Sequence, residues 1–251
     1  MNYHLSSWPT LPYWSNSHYF CRAYSQNDKH RFEDFSCILR ECDLVTVNPG
    51  EWINDNVISF MYEHLTHCFL GTAKERILLM EPCVVQLAVS SDPSVIFDPL
   101  HVRQREWIFL PVNDVNASPA PCSSSGSHWA LVVFSPSRHE AFYIDSSGFS
   151  NLNSAKMVCD ALCRYCNLYL ELQPLQCLQQ DNGYDCGIYC LVFTERILEC
   201  ILQNTNSWKT GQALTDLTLK FRIRSKREEL RALISEYLHY IVERRNRKKL
   251  S

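Results

Sequence analysis

No uninterrupted apolar stretch in this 251-residue sequence approaches the ~18 residues that a membrane-spanning helix needs. The longest runs, such as residues 130–134 and 188–193, are the size of one strand or one helix face. Glycine is scarce, at seven residues, which excludes a collagen-like chain. The opening residues carry no basic stretch followed by an apolar one, so no secretory signal is read and an intracellular protein, in cytoplasm or nucleus, is expected. A disulfide framework is missing too. The thirteen cysteines are odd in number and irregularly spaced, which predicts reduced thiols, most of them small buried hydrophobes. No internal repeat and no regular strand–helix alternation is visible.

What is present is ordinary globular material, with 46% hydrophobic, 20% charged and 12% aromatic residues. At ~150 residues per domain the length corresponds to about 1.7 domains, enough for one large core. Charge is uneven along the chain. From residue 220 onward eleven Lys/Arg face four Glu, a net +7, which leaves −10 for the rest of a chain whose total is −3. An acidic body argues against nucleic-acid binding and suits a basic macromolecular partner.

Residues 1–35 are rich in Tyr, Trp and Phe but hold no Ile or Val, so they are expected to form an N-terminal extension to a domain spanning 36–251. Residues 52–67 predict an amphipathic helix, with Asn54 or Asp55 as N-cap and Val57, Ile58, Met61 and Leu65 on its apolar stripe. Residues 106–112, 129–134 and 141–144 predict strands, and 169–172 a further short one. Helices are expected over 155–169, 186–202 and 226–248. Together these give an α+β fold with a mainly antiparallel sheet flanked by helices. The loop 113–127, rich in Ser, Pro, Ala and Gly, has few apolar anchors and is expected to be mobile and to order on partner binding.

Thiol chemistry is suggested by Cys186, which follows Gln180-Asp181-Asn182-Gly183-Tyr184-Asp185 and opens a predicted helix. A cysteine at a helix N-terminus meets unpaired N–H groups and the positive end of the macrodipole, a setting that favours a thiolate nucleophile. Such a nucleophile needs a base and an orienting carboxylate. If strands 129–134 and 141–144 form a hairpin with the four-residue loop 135–138, Phe134 pairs with His139. His128 and Asp145 then face each other across the open end, with Cβ atoms ~5 Å apart on one face. The alternative for Cys186 is a buried structural thiol. A lone histidine is more often a surface or capping residue, and the cross-strand carboxylate is what singles out His128.

His128-Trp129, the strand pair ending at Asp145, Gln180 six positions before an Asp-Cys-Gly sequence, and the upstream Trp52-Ile53-Asn54-Asp55 together resemble the Ulp/SENP family of ubiquitin-like-modifier cysteine proteases. The resemblance runs from about residue 35 to the C-terminus and implies a papain-like fold. It further implies Cys186 as nucleophile, His128 as general base and acid, Asp145 as the orienter of His128, and Gln180 as an oxyanion-hole donor beside the Cys186 N–H. Trp52 and Trp129 would clamp a narrow tunnel for the modifier's Gly-Gly tail, and Asp55 would bind a polar or basic residue upstream of it. The plainer alternative for both tryptophans is a place in the core. Asn113 and Asp114 are expected nearest the tail. The shortness of the chain and the sequence LPVNDVN resemble the deneddylating branch, which acts on a Nedd-type modifier.

The expected partners are therefore a ubiquitin-like modifier and its conjugates, not nucleic acid or membrane, with the protein a monomer that needs neither metal nor organic cofactor. Two rivals remain: a SUMO protease on the same scaffold, and a non-catalytic module that binds ubiquitin-like proteins. Cys159, Cys163 and Cys166 on one helix face read as packing, since no fourth zinc ligand is near. Residues 146–148 read as a turn, and the basic run 243–249 as a solvated helix end in preference to a nuclear address.

Overall fold

The computed structural model describes residues 32, 35–114 and 126–250. Most of the aromatic extension and most of the loop 113–127 therefore lie outside the described residues. Five strands form one mixed sheet in the order β1-β2-β3-β4-β5. They are β1 (Ile77–Leu79), β2 (Trp107–Asn113), β3 (Trp129–Ser135), β4 (Glu140–Ile144) and β5 (Gln173–Pro174). The central pairs β2·β3 and β3·β4 are antiparallel, as expected, whereas both edge strands join in parallel. A parallel neighbour needs a crossover. Here α3 (Pro82–Ser90) and α4 (Pro93–Phe97) connect β1 to β2, and α5 (Leu152–Cys166) connects β4 to β5. The remaining α-helices among the described residues are α1 (Glu41–Val45), α2 (Asp55–His64), α6 (Cys186–Leu202) and α7 (Leu219–Leu250).

Strand β3 is buried along its whole length, which explains why its apolar residues run on instead of alternating with polar ones. Trp129, Leu131 and Val133 face a cluster built with α2, α6 and α7, while Ala130, Val132 and Phe134 face a second cluster built with α3, α4 and α5. Cys159 and Cys163 point into that second cluster. The sheet is thus the middle of three layers. The described end of the N-terminal segment joins the first cluster, where Phe32 is buried against Phe35, Tyr237 and Tyr240.

Several elements differ from expectation. The hairpin register is displaced by two residues: Phe134 pairs with Ala141 and Ser135 with Glu140, so the four-residue turn moves one position along, to 136–139, with His139 closing it at a left-handed φ of 56°. Helix α5 starts earlier than predicted and stops at Cys166, since Asn167 takes the left-handed conformation that closes a helix. Residues 169–172 form no strand, and the ladder bonds fall on Gln173–Pro174 instead. The predicted 52–67 helix is regular only from Asp55 to His64, then turns through a wider π-type coil over Leu65–Phe69. Its cap is Asn54, whose side chain accepts the Val57 N–H at 3.1 Å.

Candidate active site

Cys186 is the first residue of α6 and is almost completely buried. The preceding loop is rigid by construction. Asn182 Oδ1 accepts the N–H groups of Tyr184 and Asp185 at 3.1 and 3.0 Å, and Asn182 Nδ2 donates to Asp185 Oδ2 at 2.9 Å. Gly187 is required by close approach: a Cβ there would lie 2.4 Å from the Ile53 side chain and 3.2 Å from the Trp129 ring. The first turn of α6 is therefore seated directly between Ile53 and Trp129.

His128 Nε2 donates to Asp145 Oδ1 at 2.6 Å. Continuing the observed ladder places Ala130 opposite Asp145, so His128 reaches the carboxylate diagonally, from two residues further out on the same face. A displacement of two preserves the face, which is why the expected pair meets in spite of the wrong register. With Nε2 engaged, Nδ1 is left for the Cys186 thiol. Burial alone would depress the imidazole, but hydrogen bonds to Asp145 and Cys186 outweigh it and push the His128 pKa up to about 9. Burial would likewise raise Asp145, yet donors surround it. The His128 ring, the Tyr143 hydroxyl and the Ser147 N–H, the last at 2.8 Å, hold its carboxyl below the usual range.

Two contributors were not singled out from the sequence. Tyr143 lies two residues before Asp145 on β4, so the strand period of two puts it on the same face, and that signal was readable. Asn151 was hidden. It stands at the N-cap of α5, where an Asn normally bonds its own helix, but its Nδ2 donates instead to Val112 O at 3.1 Å and His128 O at 2.7 Å. It thereby ties the end of β2 to the backbone of His128.

Gln180 lies beside this group. Its Oε1 accepts from Ser146 Oγ at 2.7 Å and its Nε2 donates to Asn182 O at 2.7 Å, which leaves the second amide proton available. Trp52 is 47% exposed, so it is not a core residue, and its Nε1 donates to Gly183 O at 2.6 Å. Trp129 is both core and site: it is buried, packs against Gly187, and donates from Nε1 to Ile53 O at 3.0 Å. Asp55 is exposed at the start of α2, on an open depression also lined by Cys37, Arg40, Glu81 and Cys83. Asn113 ends β2 opposite Trp129 and is buried. Asp114 closes the neck of the loop, accepting the N–H groups of Ser127 at 2.6 Å and His128 at 3.4 Å and the Ser127 hydroxyl. The structure thus brings His128, Asp145, Cys186, Gln180 and Trp129 together, with Trp52 on the facing loop. Among the described residues no cluster of three or more His, Cys, Asp or Glu side chains could hold a metal ion.

A cysteine opening a helix against a sheet that carries histidine and aspartate within hydrogen-bond reach defines the class of papain-like cysteine proteases by its geometry, whatever the order of the three along the chain. The chain belongs to the Ulp1 protease family: that family's C-terminal catalytic domain matches residues 51–239. It is 29% identical over 205 residues to sentrin-specific protease 8 of Homo sapiens, covering 79% of this chain and 92% of that protein. It is 28% identical to NEDD8-specific protease 1 of Arabidopsis thaliana, covering 80% and 90% of the two chains. Among solved structures, the crystal structure of a de-sumoylating protease superposes with a TM-score of 0.62 at 15% identity, over 84% of this chain and 90% of that one. That likeness concerns the fold.

Proposed function

We propose that this protein cleaves the bond after the C-terminal Gly-Gly of a Nedd-type ubiquitin-like modifier, both in precursors and in conjugates. The observation that carries the reading is the Cys186, His128 and Asp145 line with an indole on each side of the cysteine in sequence: Trp129 packs on Gly187, the next residue, and Trp52 bonds Gly183 O, three residues before it. Gly-Gly is a chain without side chains, and passage between two indoles selects it by steric exclusion. The names of the relatives in Homo sapiens and Arabidopsis thaliana support the Nedd-type modifier over SUMO.

In this reading the Cys186 thiolate attacks the carbonyl carbon of the terminal glycine. The developing oxyanion takes hydrogen bonds from the Cys186 N–H and the free amide proton of Gln180. His128, held as imidazolium, gives its proton to the leaving amine, and a thioester forms. The neutral imidazole then takes a proton from water, the hydroxide attacks the thioester, and the modifier leaves as a carboxylate with the thiolate restored. Asp145 keeps the ring in place through both proton transfers. Asp55, on its open depression, would meet a polar or basic side chain upstream of the tail. Asn113 and Asp114 stand nearest the tail, and Asp114 also fixes the segment that delivers His128.

The test is side-by-side labelling with electrophile probes built on the C-termini of Nedd-type modifier, SUMO and ubiquitin. Covalent capture of the Nedd-type probe, abolished by Cys186→Ala, is the expected result. Preferential capture of the SUMO probe would overturn the choice of modifier, and capture of none would overturn the activity.

A further inference from the structure

Helix α7 contributes a single guanidinium that grips both segments leading into the site. Arg227 is nearly buried, its side chain 10% exposed. Its Nε and Nη2 donate to Asp185 Oδ1 at 3.1 and 2.7 Å. Its Nη1 donates to Thr46 O at 3.2 Å and Asn48 O at 2.8 Å, while Nη2 also reaches Glu51 O at 2.6 Å and Tyr184 O at 3.4 Å. All the donor capacity of the fork is used.

The acceptors fall into two groups. Thr46, Asn48 and Glu51 belong to the loop that ends at Trp52, and Tyr184 and Asp185 belong to the loop that ends at Cys186. The first loop carries Trp52, one of the two indoles that would flank the tail, and the second carries the Cys186 thiol that the tail must reach. Two further bonds act beside the guanidinium: Trp52 Nε1 joins Gly183 O of the second loop, and Arg231 Nη2 holds Asn48 Oδ1 at 2.6 Å. Only a planar, five-donor group can serve carbonyls and a carboxylate in these directions at once. A lysine would keep the charge beside Asp185 and lose most of the geometry.

We propose that Arg227 is a positioning residue that sets the spacing between the Trp52 and Cys186 loops and thereby the selectivity for a Gly-Gly tail, a role that rests on the peptidase reading given above. The difference to be sensed is one methyl group. A slot that admits hydrogen and rejects methyl changes its discrimination when its walls move by well under the length of a bond, and such misplacements cost rates of up to ~10²-fold.

The experiment compares wild type with Arg227→Lys on Nedd-type modifier carrying a C-terminal aminomethylcoumarin, once with the natural Gly-Gly and once with the penultimate glycine replaced by alanine. The ratio of the two kcat/KM values cancels any change in the reactivity of the thiol itself. Arg227→Lys is expected to narrow that ratio about tenfold and to raise KM for the natural tail. It should also speed amide hydrogen exchange in residues 46–51 and 181–185 together in the substrate-free enzyme. Asp185→Asn, which leaves the carbonyl contacts in place, carries the same comparison should Arg227→Lys yield no folded protein, with a narrowing of about threefold. An unchanged ratio in a folded variant would overturn the proposal. So would exchange that rises in α7 alone, since that marks a helix-docking role. If wild type cleaves neither substrate, the peptidase reading and the selectivity role both fall, while the exchange measurement still decides whether Arg227 holds the two loops.

Discussion

His128 is the residue on which the chemistry turns, because its two nitrogens face groups of opposite character: a carboxylate fixed by four donors, and a thiol at a helix N-terminus. The pH dependence follows from that placement. A histidine raised from about 6.5 to about 9 contributes stability that is fully present below the lower value and is lost as pH rises through the upper one. Asp145 is depressed, so its contribution holds above the ordinary carboxylate range and is lost only as pH falls through its folded value. Activity requires the imidazolium as proton donor to the leaving group, so kcat/KM should fall above about pH 9. Asp145→Asn should move that alkaline limb to lower pH and reduce kcat/KM by roughly 10²-fold or more. A pH–rate profile of the two proteins measures both effects, and an unmoved limb would separate Asp145 from the titration. Gln180 makes a different prediction. Its amide acts on charge that exists only in the transition state, so Gln180→Ala should lower kcat by ~10²-fold with KM nearly constant. A change confined to KM would make it a substrate-binding residue.

At the scale of elements, the seam between α6 and α7 is ionic where most of the core is apolar. Glu195 is fully buried on α6 and accepts from Lys226 Nζ at 2.8 Å and Arg222 Nη2 at 3.0 Å. Burial would depress the Lys226 ammonium, but Glu195 and Glu229 outweigh it and raise its pKa. Glu195→Ala takes one carboxylate away from that buried cation and should cost about 3–5 kcal/mol in urea unfolding, whereas replacing Glu195 and Lys226 together by Met should recover most of the loss. Equal loss in both would show that packing, not charge, holds the seam. Periodicity could not reveal this pairing, because it reports which residues face inward and not which charges meet there. The same distinction governs the rest of the chain. Helix α6 was legible to the residue, since its apolar run starts and ends abruptly. Strands β2, β3 and β4 were legible too, because they are rich in β-branched and aromatic side chains. Helices α3 and α4 were passed over, although Pro82 and Pro93 stand at the first helical turn and Asp92 caps Ser94 N at 2.9 Å. The catalytic pair survived a wrong register because the slip was two residues; a slip of one would have sent Asp145 to the opposite face. Arg227 and Asn151 had no local signature, since their partners, backbone carbonyls and for Arg227 also the Asp185 carboxylate, are distant in sequence.

The molecule as a whole is a sheet between two helical layers, and the basic C-terminal segment is best understood from that assembly. Arg222, Lys226 and Arg227 point inward onto acids and carbonyls, so part of the local excess of positive charge in α7 is structural. The second half of the same helix receives Phe32 and Phe35. Phe32 is 4% exposed and makes edge contacts with Phe35 at 5.2 Å and Tyr237 at 5.4 Å, and Tyr237 in turn packs on Phe60 of α2 and donates its hydroxyl to Cys37 O at 2.9 Å. These aromatic pairs include none of the catalytic residues, and they tie the approach to α1 and α2 onto α7. Removing the ring empties a buried site lined by the rings of Phe35, Tyr237 and Tyr240, so Phe32→Ala should cost about 3–4 kcal/mol of unfolding free energy. It should leave kcat and KM for the modifier substrate within twofold of wild type at temperatures well below the transition. Denaturant unfolding followed by tryptophan fluorescence, paired with the coumarin assay, measures the two quantities on one sample. Stability within ~0.5 kcal/mol of wild type would remove Phe32 from the core, and a fall in kcat without a fall in stability would mean that the aromatic cluster reaches the site through α2 and the Trp52 loop.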